Sequence, residues 1–265
     1  AHPRRSAGSA SPRPEREFNP ETKGKNVEVR LIFARHGEKD MKDREKGWLT
    51  EKGRQQFRDF ALEKLADPNR NLIVYGTDVA RTIQSGLEAL GKSVAKVKVY
   101  PAPQNELSFK IGQSMDRNET TKVSRPFLNK LKSMPIGDNV RHYIGYRYQR
   151  PDAESFSPQE TAGGIAKIIV GYNKKIDVMK SGSKNDVLMV SHDFVLSAFL
   201  QEVLGIELQE SKKNMNPAES FEVIINTDSS GKHVLDCVYE GKRYSIPPDL
   251  LNSFAQKYEA AKEQN

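Results

Sequence analysis

The chain has 265 residues, of which 36% are hydrophobic and 29% are charged, and its formal net charge is +7. No stretch approaches the roughly 18 to 20 unbroken apolar residues of a membrane-spanning helix, so the sequence predicts no membrane span. The basic balance suits anionic ligands, but without zinc-finger spacing, an RNA-recognition motif or a long Lys/Arg block it predicts no nucleic-acid partner. The single cysteine, Cys237, excludes an internal disulfide and a multi-cysteine metal site.

The N-terminal segment differs in composition from the rest of the chain. Residues 1–26 are rich in Arg, Pro, Ser and Gly and poor in apolar residues, so they cannot bury enough surface to offset the entropy of ordering. We expect a disordered leader over 1–26 and one folded domain over 27–265. Because the chain begins with Ala1, we expect processing at this end, with a cytoplasmic protein and one secreted after removal of a signal both open. The sequence does not indicate an oligomeric state.

Predicted strands and helices alternate along most of the domain. The strands cover about 27–34, 72–75, 95–100, 186–190, 221–225 and 234–239. The helices cover about 51–66, 79–90, 161–179, 194–204 and the region from 248 onward. This alternation predicts a three-layer α/β sandwich with a mostly parallel central sheet and helices on both faces. Residues 107–157 break the pattern, and we expect them to form an inserted cap over the site.

Cationic and imidazole side chains follow three of the predicted strands. Arg35 and His36 end the first strand, Arg81 lies in the first turn of the helix after the second, and His192 follows strand 186–190. Ligands of open α/β sheets bind beyond the carboxyl ends of the strands, so these side chains should meet there. A neutral imidazole nitrogen can attack phosphorus, and guanidinium groups and helix N-termini bind phosphoryl oxygens. The pattern therefore predicts phosphoryl transfer, with His36 as the nucleophile.

Phosphoryl transfer of this kind also needs a proton donor for the leaving oxygen. Glu106 is a candidate because it lies just past the third predicted strand. Asp193 is a candidate because it adjoins His192. The residues alone leave both open.

Five segments in order resemble the histidine phosphatase superfamily, also called phosphoglycerate mutase-like. They are Arg35-His36-Gly37-Glu38, Leu49-Thr50-Glu51-Lys52-Gly53, Thr77-Asp78-x-x-Arg81-Thr82-x-x-Ser85, Glu106 and Ser191-His192-Asp193. The resemblance covers about residues 27–205. It implies a phosphohistidine intermediate on His36, an anionic phosphorylated substrate, and neither a metal nor another cofactor. It also implies that Arg35, Arg81 and His192 form the phosphate pocket and that Glu106 is the general acid.

The sequence departs from the mutase-like pattern at two positions. Lys39 stands where such members usually have Thr, and Asp193 stands where many have Gly. A His-Asp pair is typical of the acid-phosphatase branch, in which that aspartate is the acid. We expect Glu106 to be the donor, with Asp193 as the alternative. The departures favour a phosphatase acting on phosphate monoesters, and the alternatives are a phosphomutase and a catalytically inactive phospho-ligand-binding protein on the same fold.

Three further residues are expected to contact the rest of the substrate. Glu38 and Lys39 directly follow the Arg-His-Gly triplet. Arg147 lies in segment 141–150, which holds three arginines, one histidine and three tyrosines. The alternative for this segment is a solvated loop whose tyrosines cover the core.

Overall fold

The computed structural model describes residues 22–42, 47–109, 122–211 and 214–264. Of the predicted leader, residues 1–21 lie outside the described residues. Residues 22–26 lie against the turn that precedes the fourth strand: the Gly24 amide donates to the Met179 carbonyl over 2.8 Å, and Lys23 forms a β-bridge with Lys180. These five residues therefore pack on the folded domain.

Within the described ranges, seven strands form a single sheet at the centre of the fold. They are β1 (Glu28–Arg35), β2 (Asn71–Gly76), β3 (Val97–Pro103), β4 (Lys184–Ser191), β5 (Ser220–Thr227), β6 (His233–Tyr239) and β7 (Lys242–Ser245). Their order across the sheet is β3-β2-β4-β1-β5-β6-β7. The ends of β1, β4 and β2 are therefore neighbours.

The expectation of a mostly parallel sheet is only partly right. β3, β2, β4 and β1 pair in parallel, whereas the β1–β5, β5–β6 and β6–β7 pairs are antiparallel. The hydrophobic pattern of a segment predicts a strand but not its direction, which is why this half of the sheet was predicted wrongly. The sequence did not predict β7, because this strand is short and polar. It follows β6 through Glu240 and Gly241, which both have positive φ, as in a tight hairpin turn.

Helices cover both faces of the sheet. The long ones are α1 (Glu51–Lys64), α2 (Ala80–Lys92), α5 (Pro158–Lys175), α6 (Asp193–Glu202) and α8 (Pro248–Gln264), and the short ones are α3 (Arg125–Lys132), α4 (Asp138–Ile144) and α7 (Leu208–Ser211). The Thr50 hydroxyl caps α1 by accepting from the Gly53 amide over 3.0 Å. Within the part of the chain that the structure describes, no helix is long and apolar enough to cross a membrane.

Alternating residues of β1 build the two apolar layers. Ile32 and Ala34 face the core formed with α1 and α2, while Leu31 and Phe33 face the core formed with α5, α6 and α8. All four side chains are fully buried. A strand covered on both faces has a nearly continuous apolar run, which explains why residues 31–34 are all apolar. This arrangement confirms the three-layer α/β architecture.

The region predicted as a cap contains regular structure in its described part. Residues 110–121 lie outside the described residues, and α3 and α4 follow them. Tyr143 of α4 is fully buried, and its hydroxyl lies 2.7 Å from the Thr161 hydroxyl on α5. The Gln201 amide of α6 donates to the Ile144 carbonyl over 2.8 Å. These contacts join α4 to the layer of α5 and α6.

Candidate active site

A cavity of about 360 Å³ opens at the carboxyl ends of β1 and β4 and beside the first turn of α2. Its floor is formed by Arg35, His36, Gly37, Arg81, His192 and Asp193. The other lining residues are Glu38, Lys39, Met41, Ile136, Gly137, Asn139, Val140, Phe194, Asn214 and Pro217. The structure thus brings together the four residues that the sequence assigned to a phosphoryl-transfer pocket.

His36 is held in one tautomer by its two ring contacts. Its Nδ1 lies 2.8 Å from the Gly37 carbonyl, which can only accept, so Nδ1 carries the proton. Its Nε2 accepts a hydrogen bond of 3.1 Å from Nε of Arg81, which can only donate. The backbone amide of His36 also donates to the Ser191 carbonyl of β4 over 3.1 Å. The lone pair on Nε2 therefore points into the cationic floor of the cavity.

The surroundings of His36 keep its ring neutral. Burial lowers the pKa of His36 well below its usual value, and the positive charges of Arg81, Arg35 and Lys39 lower it further. The hydrogen bond to the Gly37 carbonyl acts in the opposite direction and does not overcome them. A neutral imidazole is the form that can act as a nucleophile.

Arg81 is fixed to the loop of His36 through a serine that the sequence reading did not assign a role. The Ser85 hydroxyl donates to the Arg81 carbonyl over 2.7 Å and accepts from the Gly37 amide over 3.0 Å. Burial, followed by the charge of Arg35, lowers the pKa of Arg81 to about 10, so its guanidinium stays charged at neutral pH. The hydroxyl four positions after Arg81, one helical turn away, was the available signal for this link.

Arg35 has hydrogen-bonding capacity to spare. Its Nη1 donates to the Met215 carbonyl over 2.5 Å and lies 3.8 Å from Oδ2 of Asp193. Among the residues that the structure describes, its buried Nε has no acceptor. Because an unpaired buried donor is costly, a ligand oxygen in the cavity would relieve it.

His192 and Asp193 form the start of α6 at the cavity floor. Nε2 of His192 lies 3.1 Å from the Thr77 hydroxyl, at the end of β2. The rings of His36 and His192 meet edge to face, with centroids 5.6 Å apart. Burial, followed by the charge of Arg81, lowers the pKa of His192 well below its usual value. The helix start adds a partial positive charge, so this part of the floor favours an anion.

Asp193 is buried, and its carboxyl group is oriented by a neighbour one helical turn away. The hydroxyl of Ser197 donates to Oδ1 of Asp193. Burial raises the pKa of Asp193, although Arg35 and the Ser197 hydroxyl pull it down. A raised pKa lets a carboxylic acid hold a proton that it can give to a leaving group.

Glu106, the expected proton donor, is not among the residues that line the cavity. It lies in a short 3₁₀ turn after β3, and its carboxylate is 3.4 Å from Nζ of Lys167 on α5. The buried Lys122 ammonium holds this turn by donating to the Ser108 carbonyl over 2.9 Å. Asp193 therefore lines the cavity, whereas the Glu106 carboxylate pairs with Lys167 and is not part of the lining.

Of the three predicted substrate contacts, two line the cavity and one does not. Glu38 and Lys39 line the side of the cavity. One carboxylate oxygen of Glu38 accepts from the Thr50 hydroxyl over 3.0 Å. Arg147 is not among the lining residues, and its guanidinium lies 3.5 Å from the Glu202 carboxylate on α6. Ile136, Asn139 and Val140 also line the cavity, within the region expected to form the cap, but no motif singled out these residues.

Two glycines let the backbone of α1 touch the loop that carries His36. A Cβ on Gly37 would come within 2.5 Å of the Gly53 carbonyl oxygen, and a Cβ on Gly53 would come within 2.8 Å of the Glu38 amide nitrogen. These are contacts with backbone, which cannot swing aside as a flexible side chain can. The first turn of α1 therefore fixes the position of residues 37 and 38.

We expect Gly53→Ala to reduce turnover of a phosphate ester by more than tenfold, because the new methyl group must displace the loop after His36. A shift of about 1 Å near a reacting group can cost about 100-fold in rate. The control is Gly171→Ala on α5, where an added Cβ meets nothing within 4 Å. That variant should keep its activity and gain up to about 1 kcal/mol of stability from helix propensity. Equal activity in both variants would contradict this account.

Together, the fold and the site define an α/β protein with an anion-binding pocket built around a neutral histidine. The sequence model of the histidine phosphatase superfamily (branch 1) matches residues 31–237. The chain belongs to this superfamily. A search of curated proteins found no match.

Solved structures with a similar fold include phosphatases and a mutase. A mycobacterial glucosyl-3-phosphoglycerate phosphatase is 16% identical, with a TM-score of 0.49 over 81% of this chain and 100% of the other. A phosphoglycerate mutase from Bacillus anthracis is 15% identical, with a TM-score of 0.48 over 89% and 99%. A phosphoserine phosphatase from Entamoeba histolytica is 16% identical, with a TM-score of 0.43 over 78% and 94%.

Proposed function

We propose that the protein is a phosphatase that hydrolyses phosphate monoesters through a phosphohistidine on His36. The observation that carries the proposal is the environment of this histidine: its pKa is lowered by burial, its Nδ1–H donates to the Gly37 carbonyl, and its Nε2 accepts from Arg81 in a cavity that Arg35 also lines. Membership of the histidine phosphatase superfamily supports the same chemistry.

Substrate binding uses the positive groups of the floor. The phosphoryl oxygens accept from Arg81 and Arg35. In the structure, Nε of Arg81 donates to His36, and Nε of Arg35 lacks an acceptor among the described residues. The start of α6 adds its amide groups. Charge on the equatorial oxygens of the transferring group is then neutralised where it develops, which is the main source of catalysis in phosphoryl transfer.

The first chemical step transfers the phosphoryl group to the protein. Nε2 of His36 attacks phosphorus as the bond to the leaving oxygen breaks, and a proton from the Asp193 carboxyl passes to that oxygen. Nδ1 keeps its proton and donates it in a hydrogen bond to the Gly37 carbonyl, and this bond stabilises the positive phosphorylated ring. In the second step, water attacks phosphorus as the bond between phosphorus and Nε2 of His36 breaks, and the water gives a proton to the Asp193 carboxylate. Inorganic phosphate leaves, and both residues return to their starting states.

Asp193 is proposed as the donor because of position and protonation together. It lies in the floor of the cavity, and burial raises its pKa. The carboxylate of Glu106 is instead engaged by Lys167. We therefore assign the proton donor to Asp193, which the sequence left open as the alternative to Glu106.

The test of this function is to incubate the purified protein with an aryl phosphate, an alkyl phosphate and 3-phosphoglycerate. We expect release of one phosphate for each alcohol produced, and no formation of 2-phosphoglycerate. A mutase would instead return the phosphoryl group to the substrate and yield the isomer. Binding of phosphate without turnover would indicate a phospho-ligand-binding protein.

A further inference from the structure

The cavity has a charged floor and a largely uncharged side. We define the outer wall as Met41, Ile136, Asn139, Val140, Phe194 and Pro217, which line the cavity beyond the floor. Five of these six side chains are apolar. Among the described lining residues, the arginines and histidines all lie in the floor, and Lys39 is the one further cation, with Glu38 beside it.

The outer wall leaves apolar surface open to solvent. Ile136 is 82% exposed and Met41 is 46% exposed. Exposed large apolar side chains at the mouth of a cavity often mark a binding surface. Covering them with an apolar group is favourable, whereas burying a hydroxyl against them without a partner is costly.

The two carboxamides near the wall already have protein partners. Oδ1 of Asn139 accepts from the Val140 amide over 2.8 Å, and Oδ1 of Asn214 accepts from Arg141 over 3.1 Å. Arg141 is also bound to Asp138. These oxygens are therefore committed to holding the segment in place, and they are poorly suited to accept from sugar hydroxyls.

We propose that the outer wall binds an apolar leaving group, so that the substrates are monophosphate esters of apolar aliphatic or aromatic alcohols. The inference rests on the proposed function in placing the phosphate on the floor. Sugar phosphates and molecules with several phosphates fit less well, because the six described side chains of the outer wall offer their hydroxyls and extra charges few partners.

Binding of alkylphosphonates tests the inference without requiring catalysis. In this series, from methyl to hexyl, the head group stays the same and only the apolar chain grows. We expect each methylene that reaches the wall to lower Kd about three- to fourfold in isothermal titration calorimetry. Hexylphosphonate should also bind more tightly than glucose 6-phosphate. A Kd that does not change with chain length, or tighter binding of glucose 6-phosphate, would overturn the inference.

Variants locate the effect on the wall. The double variant Met41→Ser/Ile136→Ser should flatten the dependence on chain length, and it is expected to fold because both side chains are exposed. The control is Val178→Ser, which changes a 64% exposed apolar residue outside the cavity and should keep the full dependence. If the phosphonates bind as expected but no ester is hydrolysed, the proposed function fails and the outer wall stands.

Discussion

Hydrolysis of an aryl phosphate should fall by about 10⁴-fold or more in His36→Ala, because the attacking nitrogen is lost while both arginines remain. Loss of a nucleophile that acts with its neighbours as a unit costs about 10⁶-fold in well-studied hydrolases. The measurement is steady-state phosphate release, together with rapid quenching after mixing with radiolabelled substrate. The wild-type protein should carry an acid-labile, base-stable label, and the variant should carry none.

The matched control for this experiment is His233→Ala. His233 begins β6, and its ring contacts Asn173 and Asp177, away from the cavity. The control should keep both turnover and label. Circular dichroism checks that His36→Ala is folded, since the substitution removes a side chain and keeps the backbone bond to Ser191. Turnover at wild-type rates in the folded His36→Ala variant would rule out the mechanism.

Asp193→Asn should reduce hydrolysis of an alkyl phosphate by about 10²- to 10⁴-fold, the usual contribution of a general acid. The value of kcat/KM for an aryl phosphate should fall much less, because kcat/KM reports the first step and the aryl leaving oxygen departs without a proton. Asparagine keeps the shape of the side chain and can still accept from the Ser197 hydroxyl. Glu106→Gln is the comparison variant, and it should show no such dependence on the leaving group. The reverse result would restore Glu106 as the donor.

The pH dependence of kcat/KM provides a second measure of the same proton donor. His36 must be neutral, and its lowered pKa means that activity persists below pH 6.5 and falls only as the pH drops through that lowered value. Asp193 must be protonated, and its raised pKa moves the loss of activity at rising pH above its usual value of 3.8. We expect an acidic optimum for an alkyl ester. An aryl ester should lack most of the loss of activity at rising pH, because its leaving oxygen needs no proton. Ionisation of the substrate does not account for the difference, since the second pKa of the phosphate, about 6, is similar for both esters.

The convergence of the pocket residues could be predicted from the sequence because each follows a buried strand. His36 and His192 follow β1 and β4, which are adjacent, and Arg81 lies in the first turn of α2, after β2, the next neighbour of β4. Buried strands show long apolar runs, and their ends are marked by a change to polar residues. The same reasoning gave the three-layer architecture.

The direction of the Glu106 side chain could not be predicted, because the hydrophobic pattern of a segment does not specify the path of the turn that follows a strand. Glu106 follows β3, and β3 lies at the edge of the sheet, separated from β1 by β2 and β4. The turn after β3 nevertheless returns to the end of β4, where the Ser191 hydroxyl donates to the Leu107 carbonyl over 2.5 Å, and the Glu106 carboxylate is directed to Lys167 on α5. Arg147 was placed by composition alone, and its position after α4 directs it toward Glu202.

Because β1 lies in the middle of the sheet, the loop that carries His36 is less free to change than the segment 136–140 at the cavity. The loop of His36 continues a central strand that is bonded to β4 on one side and to β5 on the other. Detaching this loop requires the middle of the sheet to open, which costs a free energy close to that of global unfolding. Segment 136–140 contributes side chains from the far side of the cavity and is not part of the sheet. Related proteins could therefore diverge in the alcohols they accept while their phosphoryl chemistry stays constant.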